Sequence, residues 1–137
     1  MIDFVIFLDE NHCRNPHLIA VLEEAEVSYE RHLDHFSAGA EDVVWLPEIA
    51  KKNWVLLTSD ARIRRKSRVN YLELQAVRSN SLRMFYFSRN DSPGAKMGES
   101  LRRALPKMRK FCESLQPPFT ASINKAGDVT LRDGFET

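Results

Sequence analysis

Residues 54–68 read WVLLTSDARIRRKSR, and this stretch carries the strongest signals for both the fold and a site. Residues 55–57 form an apolar run that is long enough for a buried strand and too short for a helix. Asp60 follows the run, and a buried carboxylate without a partner is costly. Five of the next eight residues are basic, namely Arg62, Arg64, Arg65, Lys66 and Arg68. The stretch indicates either a carboxylate that holds a metal ion beside phosphate-binding cations, or a turn-capping aspartate before a solvated basic loop.

Length and composition predict one soluble domain. The chain has 137 residues, of which 43% are hydrophobic and 28% charged, as is ordinary for a globular protein with a proper core. No apolar run approaches the roughly 20 residues of a membrane span, and the N-terminus, with Asp3 and no basic region, does not predict a secretory signal. Cys13 and Cys112 suit free thiols in a reducing compartment. We therefore expect a cytoplasmic protein.

The formal net charge of +1 hides a strong asymmetry along the chain. Residues 1–50 hold eleven acids and two bases, a net charge of −9, whereas residues 51–137 hold eighteen bases and eight acids, a net charge of +10. Such an asymmetry predicts a basic surface for a polyanion, of which a phosphate backbone is the usual example. The alternative is that the two halves neutralise each other across the fold.

A second strand also ends in an aspartate. Residues 4–8, FVIFL, form a continuous apolar run without alternation, which is typical of a strand covered on both faces, and Asp9 follows it. The carboxyl ends of parallel strands meet at one edge of a sheet, where α/β proteins form their sites. If both strands belong to one parallel sheet, the carboxylates of Asp9 and Asp60 converge.

Between these strands the sequence predicts two helices. Asn15 followed by Pro16 is a helix start, because the asparagine side chain caps and the proline needs no N–H at the first position. Residues 27–31 alternate weakly and predict a short strand. Pro47 is tolerated only near the start of the second helix, which begins either at Asp42 or near Trp45. Asp42 lies at the helix N-terminus in both cases, and its alternative role is that of a cap.

The second half of the chain predicts a helix, a strand and another helix. Residues 71–77 have a helical pattern and carry Glu73, and residues 82–87, LRMFYF, form a third strong strand. Residues 97–115 predict a long amphipathic helix. Pro106 is expected to kink this helix or split it in two.

The last residues predict a β-hairpin, with strands at 119–124 and 129–132 and a turn between them. The whole order of alternating strands and helices predicts an α/β fold, a small parallel sheet sandwiched by helices. We expect a single domain at 1–137 with its core at about 2–90, and residues 95–137 as a C-terminal extension in which the hairpin is an appendage.

Several common site types have little support in this sequence. The five glycines do not form a phosphate-binding loop. His12, Cys13 and His17 lie close together but match no common zinc spacing. No serine of the sequence lies in a nucleophile-elbow motif, so a serine hydrolase site is not indicated. What remains is a set of acids that the predicted sheet places at one edge, namely Asp9, Asp42, Asp60 and, less directly, Glu73.

Carboxylates gathered at one point suit a hard divalent ion such as Mg²⁺ or Mn²⁺. Without a cation, like charges this close raise one another's pKa and partly neutralise. An ion held there activates a water molecule and stabilises the charge that builds on a phosphate oxygen. The acids and the nearby cations together predict chemistry on a phosphodiester.

Three segments resemble one protein family. FVIFLDENHCRNPHL at residues 4–18, DVVWLPEIA at residues 42–50 and WVLLTSDARIRR at residues 54–65 resemble the PIN-like domains, in particular the small VapC-type toxin ribonucleases. The resemblance spans roughly residues 2–90. It implies a Mg²⁺- or Mn²⁺-dependent endoribonuclease, which is usually neutralised by a cognate antitoxin protein and is often a homodimer.

The resemblance also implies roles for individual residues. Asp9, Asp42 and Asp60 match the catalytic, metal-binding acids, and Glu73 is similar to an acid that many relatives keep. The sequence departs from broader PIN domains in lacking a further acid on an intervening helix, which favours one metal ion over two. Arg62, Arg64 and Arg65 match the basic run that follows the last aspartate in the family, and with Lys66 and Arg68 of the same run they are the predicted RNA-binding residues.

Two other function classes stay open. A non-catalytic PIN-like module would bind RNA or a protein through the basic loop and the helix at 97–115. A receiver-like signalling domain would use Asp9 and Glu10, but it requires a lysine at the end of a late strand, where this chain has Ser88 and Arg89.

Overall fold

A computed structural model describes residues 4–58, 81–88 and 94–134, and within these ranges it describes only the backbone of residues 42, 43, 133 and 134. The described residues form six strands and three α-helices. The strands are β1 (Val5–Leu8), β2 (Ser28–Arg31), β3 (Val55–Thr58), β4 (Arg83–Phe87), β5 (Phe119–Ile123) and β6 (Val129–Gly134), and the helices are α1 (Pro16–Glu24), α2 (Asp42–Lys51) and α3 (Gly94–Ser114). The predicted α/β class, with a long C-terminal helix and a hairpin, is confirmed.

All six strands form one sheet in the order β2-β1-β3-β4-β5-β6. The first five in this order run parallel, and β6 runs antiparallel to β5. The chain leaves β1 toward β2 on one side and returns to β3 on the other side of β1. Open α/β sheets bind ligands at such a reversal, in the crevice beyond the carboxyl ends of the strands. That crevice lies beyond Leu8 and Thr58.

The central strands are covered on both faces, as their unbroken apolar runs predict. Ile6 and Leu8 belong to the core cluster that α1 and α3 cover. Phe7 points to the opposite face and packs with Trp45 and Ile49 of α2. Successive residues of a strand point to opposite faces, so one short run serves two cores.

The predicted start of α1 is confirmed in detail. The Oδ1 atom of Asn15 accepts hydrogen bonds from the backbone N–H of His17 at 2.9 Å and of Leu18 at 3.4 Å. Helix α2 begins at Asp42, the earlier of the two starts that the sequence left open, with Glu41 as its N-cap residue. Pro47 therefore lies inside the helix, where it removes one backbone hydrogen bond. Packing of the helix against the sheet outweighs this local cost.

Two expectations for the C-terminal part are wrong. Pro106 does not split α3 in two, because a buried stripe that includes Leu101, Leu105 and Met108 holds both halves of one helix on the sheet, and a kink at Pro106 stays a prediction. The hairpin is not an appendage, because β5 pairs with β4 over five residues and each residue of β5 is buried. No helix among the described residues has the length and apolar character to cross a bilayer.

Candidate metal and nucleic-acid site

Asp9 lies at the carboxyl end of β1 and is only 4% exposed. Its Oδ1 atom accepts a hydrogen bond from the backbone N–H of His12 at 3.1 Å. Its Oδ2 atom accepts a hydrogen bond from the hydroxyl of Thr58, which is fully buried at the end of β3. The first of these bonds is a local turn cap, whereas the second joins two strands that are 49 residues apart in the sequence.

The local geometry follows from strand register. Leu8 is paired with Leu57, so Asp9 and Thr58 are the next residues along two parallel neighbours. The carbonyl of Asp9 also accepts from the N–H groups of His12 at 3.1 Å and Cys13 at 2.8 Å. Both the backbone and the side chain of Asp9 are thus fixed in position. Carboxylates that bind metals are commonly oriented by hydrogen bonds of this kind.

The segment that precedes Asp42 is held by Glu10, the residue after Asp9. The Oε1 atom of Glu10 accepts from the backbone N–H of Gly39 at 2.8 Å. The same oxygen lies 3.6 Å from Nε2 of His32, whose side chain is 1% exposed. A positive φ of 79° at Gly39 allows the turn that points its N–H toward Glu10. We call this contact between Glu10 and Gly39 the loop clamp.

Sequence reasoning missed the loop clamp. It placed Glu10 only in the receiver-like alternative and gave His32 no role. The clamp joins residues 29 positions apart, and no periodic pattern predicts such a contact. The only signal in the sequence is the pair of neighbouring acids at the end of β1, followed later by a glycine in the loop before Asp42.

His12 lies beside Asp9 and is 7% exposed. Burial lowers the pKa of its imidazole below the usual 6.5. The ring meets Phe87, at the end of β4, edge to face with centroids 5.9 Å apart. Burial therefore favours the neutral form of the imidazole, whose ring contacts the end of β4 through Phe87.

The described residues contain part of the predicted metal set. Asp9 is described in full, and the backbone of Asp42 begins α2, as predicted. Among the side chains that the structure describes, no three of His, Cys, Asp and Glu come together as a metal-binding group. The side chain of Asp42 lies outside the described part, as do the residues Asp60, Arg62, Arg64, Arg65, Lys66, Arg68 and Glu73. Their convergence stays a prediction.

Basic side chains of α3 pair with acids from both halves of the chain. Arg102 of this helix lies 3.1 Å from Glu24 of α1, and Lys107 lies 3.0 Å from Asp128 of the hairpin turn. The bond to Glu24 raises the pKa of Arg102, and the bond from Lys107 lowers the pKa of Asp128. These pairs neutralise part of the basic half within the fold. They leave α3 less basic as a surface than its sequence suggests.

One comparison with known proteins gives a match. A family model described as a PIN like domain matches residues 4–89. Neither the curated proteins nor the solved structures contain a match to the chain. The matched range contains every acid and every basic residue of the predicted site. It ends before α3 and the hairpin.

Proposed function

The chain belongs to the PIN-like domain family, and from this premise we propose that it is a metal-dependent endoribonuclease that hydrolyses RNA phosphodiesters. One observation supports the proposal most. Asp9, at the reversal of strand order, is a buried carboxylate that Thr58 and the N–H of His12 hold in one orientation. A carboxylate fixed in this way at the carboxyl edge of an α/β sheet is suited to bind a ligand or an ion.

The donor set fits a hard divalent cation, because carboxylate oxygens are the ligands that Mg²⁺ and Mn²⁺ prefer. Asp9, Asp42 and Asp60 would hold the ion, with Glu73 as a further ligand. When bound, such an ion supplies an activated water and stabilises the negative charge that develops on a phosphate oxygen. Residues of the chain do the remaining work: Thr58 orients Asp9, and the loop clamp holds the segment that leads to Asp42.

The basic residues after Asp60 bind the substrate in this proposal. Arginine meets phosphate oxygens in a bidentate manner, and lysine meets them as a point charge. These contacts position the RNA backbone without reading its sequence. The residues concerned are Arg62, Arg64, Arg65, Lys66 and Arg68.

The wider biological role extends the proposal. We infer a toxin of a toxin–antitoxin pair, on the resemblance of residues 4–65 to the VapC-type ribonucleases. Its partners would be an RNA substrate and a cognate antitoxin protein, with a homodimer as the expected assembly and the cytoplasm as the expected location. A small DNA-binding protein encoded beside this chain would support this role.

Cleavage of a labelled single-stranded RNA tests the proposed activity. We expect products with Mn²⁺ or Mg²⁺, none after EDTA, and a rate more than about 100-fold lower in Asp60→Asn, because a lost ligand costs at least as much as a lost supporting contact. Asp34→Asn is the matched control, because Asp34 is exposed and pairs with Arg31 at 2.9 Å.

Two results would contradict the proposed activity. An unchanged rate in Asp60→Asn would make the assigned mechanism wrong. Salt-sensitive RNA binding that yields no product and does not respond to EDTA would instead identify a non-catalytic binding module.

A further inference from the structure

A row of polar side chains crosses the sheet from Asp9 to β6. Register places Thr58 of β3 opposite Tyr86 of β4, Tyr86 opposite Ser122 of β5, and Ser122 opposite Thr130 of β6. Asp9 begins the row through its bond from Thr58. We call these five residues the polar row.

The polar row lies on the face of the sheet that α2 covers. Phe7, Leu56 and Met84, the residues two positions earlier on β1, β3 and β4, all pack in the core cluster of α2. Because side chains two apart in a strand share a face, Asp9, Thr58 and Tyr86 share this face too. On β1 and β3 the row marks the change from an apolar core to a polar edge, whereas Tyr86 on β4 belongs to the core cluster itself.

Only the last residue of the row is exposed. Asp9, Thr58, Tyr86 and Ser122 are buried, whereas Thr130 is exposed. The row therefore begins at Asp9 and reaches solvent only at its last residue, on the hairpin.

Arg132 contacts Ser122, the last buried residue of the row. Its Nε donates a hydrogen bond to the hydroxyl of Ser122 at 3.0 Å. Thr120 faces Asp133 and Ala121 faces Leu131, so Arg132 is the extra residue of a β-bulge. A bulge re-aims a side chain in this way. Among the described residues, no carboxylate lies within ion-pair distance of Arg132.

The geometry points to an anion over the sheet. Arginine carries five N–H donors, and one of them holds the guanidinium of Arg132 over β5 through Ser122. The strands β1 and β5 are three spacings apart, about 14 Å. An exposed, fixed arginine at this distance from a buried carboxylate, on the same face, suits a polyanion that extends away from that carboxylate.

We propose that Arg132 binds a backbone phosphate of single-stranded RNA whose cleaved bond lies at Asp9. This inference rests on the proposed ribonuclease function and adds a second, remote subsite to it. The subsite lies on the hairpin, beyond the residues 4–89 that the family model matches. Arg132 is a binding residue here and takes no part in the chemical step.

RNA binding in EDTA tests the subsite without cleavage. We propose to measure the affinity for a labelled 20-nucleotide single-stranded RNA by fluorescence anisotropy across a range of salt concentrations. Arg132→Gln should weaken binding about five- to tenfold at low salt and reduce the salt slope by about 0.7, the value for one lost phosphate contact on a single strand. Arg132→Lys should keep the slope, because it keeps the charge.

Lys110→Gln is the matched control. Lys110 is exposed on α3, which packs on the opposite face of the sheet, so the variant loses the same charge away from the row. It should leave affinity and slope close to those of the unchanged protein. Thermal unfolding of each variant checks that the fold is retained.

The outcomes separate the two proposals. Equal losses in Arg132→Gln and Lys110→Gln, or no loss in either, would overturn the subsite even if the protein cleaves RNA. A loss confined to Arg132→Gln would support the subsite even if Mn²⁺ yields no product, a result that would overturn the nuclease alone. With Mn²⁺ and active enzyme, Arg132→Gln should raise KM and leave kcat unchanged.

Discussion

At the scale of single residues, the account depends on how Asp9 is held. The pattern of a strand followed by an aspartate predicted that Asp9 lies at the edge of the sheet. The parallel pairing of β1 with β3 brings the hydroxyl of Thr58 into contact with Asp9. The motif around Asp60 was selected for its charged residues, but the hydrogen bond to Asp9 comes from Thr58, two positions earlier. The position of Asp9 at the carboxyl edge of the sheet was predictable from the strand pattern. Which residue donates a hydrogen bond to its carboxylate depends on side-chain geometry and was not predictable.

The bond from Thr58 to Asp9 gives a prediction for stability. Thr58→Val keeps the shape of the side chain but removes the buried hydroxyl, so the carboxylate of Asp9 loses a donor. We expect the free energy of unfolding, measured by urea denaturation, to fall by about 1–3 kcal/mol. Thr130→Val, at an exposed hydroxyl on β6, should change it by less than about 0.5 kcal/mol. Equal effects in the two variants would contradict this role of Thr58.

Burial of His12 predicts a dependence of stability on pH. The pKa of His12 is lowered by desolvation from 6.5, so the unfolded chain binds a proton at a higher pH than the folded protein does. Well above pH 6.5, the titration of His12 therefore does not change the free energy of unfolding. As the pH falls below that value, it lowers the free energy of unfolding.

Thermal unfolding between pH 7.5 and 5 measures this effect. His12→Asn should flatten part of the fall in Tm, whereas His17→Asn, at an exposed histidine, should follow the unchanged protein. A fall in Tm that is the same in all three proteins would show that His12 does not contribute to it.

At the scale of elements, the loop clamp connects the end of β1 to the entry of α2. Glu10 reaches the N–H of Gly39, three residues before Asp42. The sequence assigns Asp9 and Asp42 to one site, and the structure connects the segments that carry them through Glu10, which the sequence does not assign to that site. The start of α1 was predictable because its capping residue is a neighbour in the sequence. The loop clamp joins residues that only the folded chain brings together, so the sequence did not predict it.

Loss of the clamp should release the loop. Glu10→Ala removes the acceptor for Gly39, and we expect the amide of Gly39 to exchange with solvent deuterium about fivefold faster, because one hydrogen bond contributes on the order of 1 kcal/mol. Hydrogen exchange followed by mass spectrometry of peptides that cover residues 35–41 measures it. Glu113→Ala, at an exposed position on α3, is the control. Unchanged exchange in Glu10→Ala would show that Glu10 does not hold the loop.

Helix α3 shows why local signals failed in the C-terminal part. A proline in a helix interior predicts a break, yet tertiary burial of the stripe around it keeps the helix continuous. The hairpin pattern was correct, but its place in the sheet was not predictable. Apolar and polar residues alternate along β5, which is typical of a strand with one face in solvent, whereas all five residues of β5 are buried.

At the scale of the whole molecule, the sheet is continuous from β2 to β6 although the family model ends at residue 89. Phe119 of β5 is 1% exposed and packs with Phe85 of β4, their ring centroids 5.6 Å apart. The C-terminal residues therefore complete the core under α3. This arrangement predicts that they are needed for the stability of the whole chain.

Phe119→Ala should cost about 3–5 kcal/mol of unfolding free energy, as expected for a large buried aromatic side chain. Leu131→Ala, at a side chain that is 43% exposed on β6, should cost less than about 1 kcal/mol. Urea denaturation compares the two. A cost near zero for Phe119→Ala would mean that the hairpin is an appendage to the core, as the sequence alone predicted.

The central claim is that Asp9, Asp42 and Asp60 hold one divalent ion together, and calorimetric titration with Mn²⁺ tests it most directly. We expect saturable binding by the unchanged protein and by the control Asp34→Asn, and an affinity at least about tenfold lower in each of Asp9→Asn, Asp42→Asn and Asp60→Asn. No binding by the unchanged protein, or an affinity in any of the three variants equal to that of the unchanged protein, would show that these residues do not share an ion.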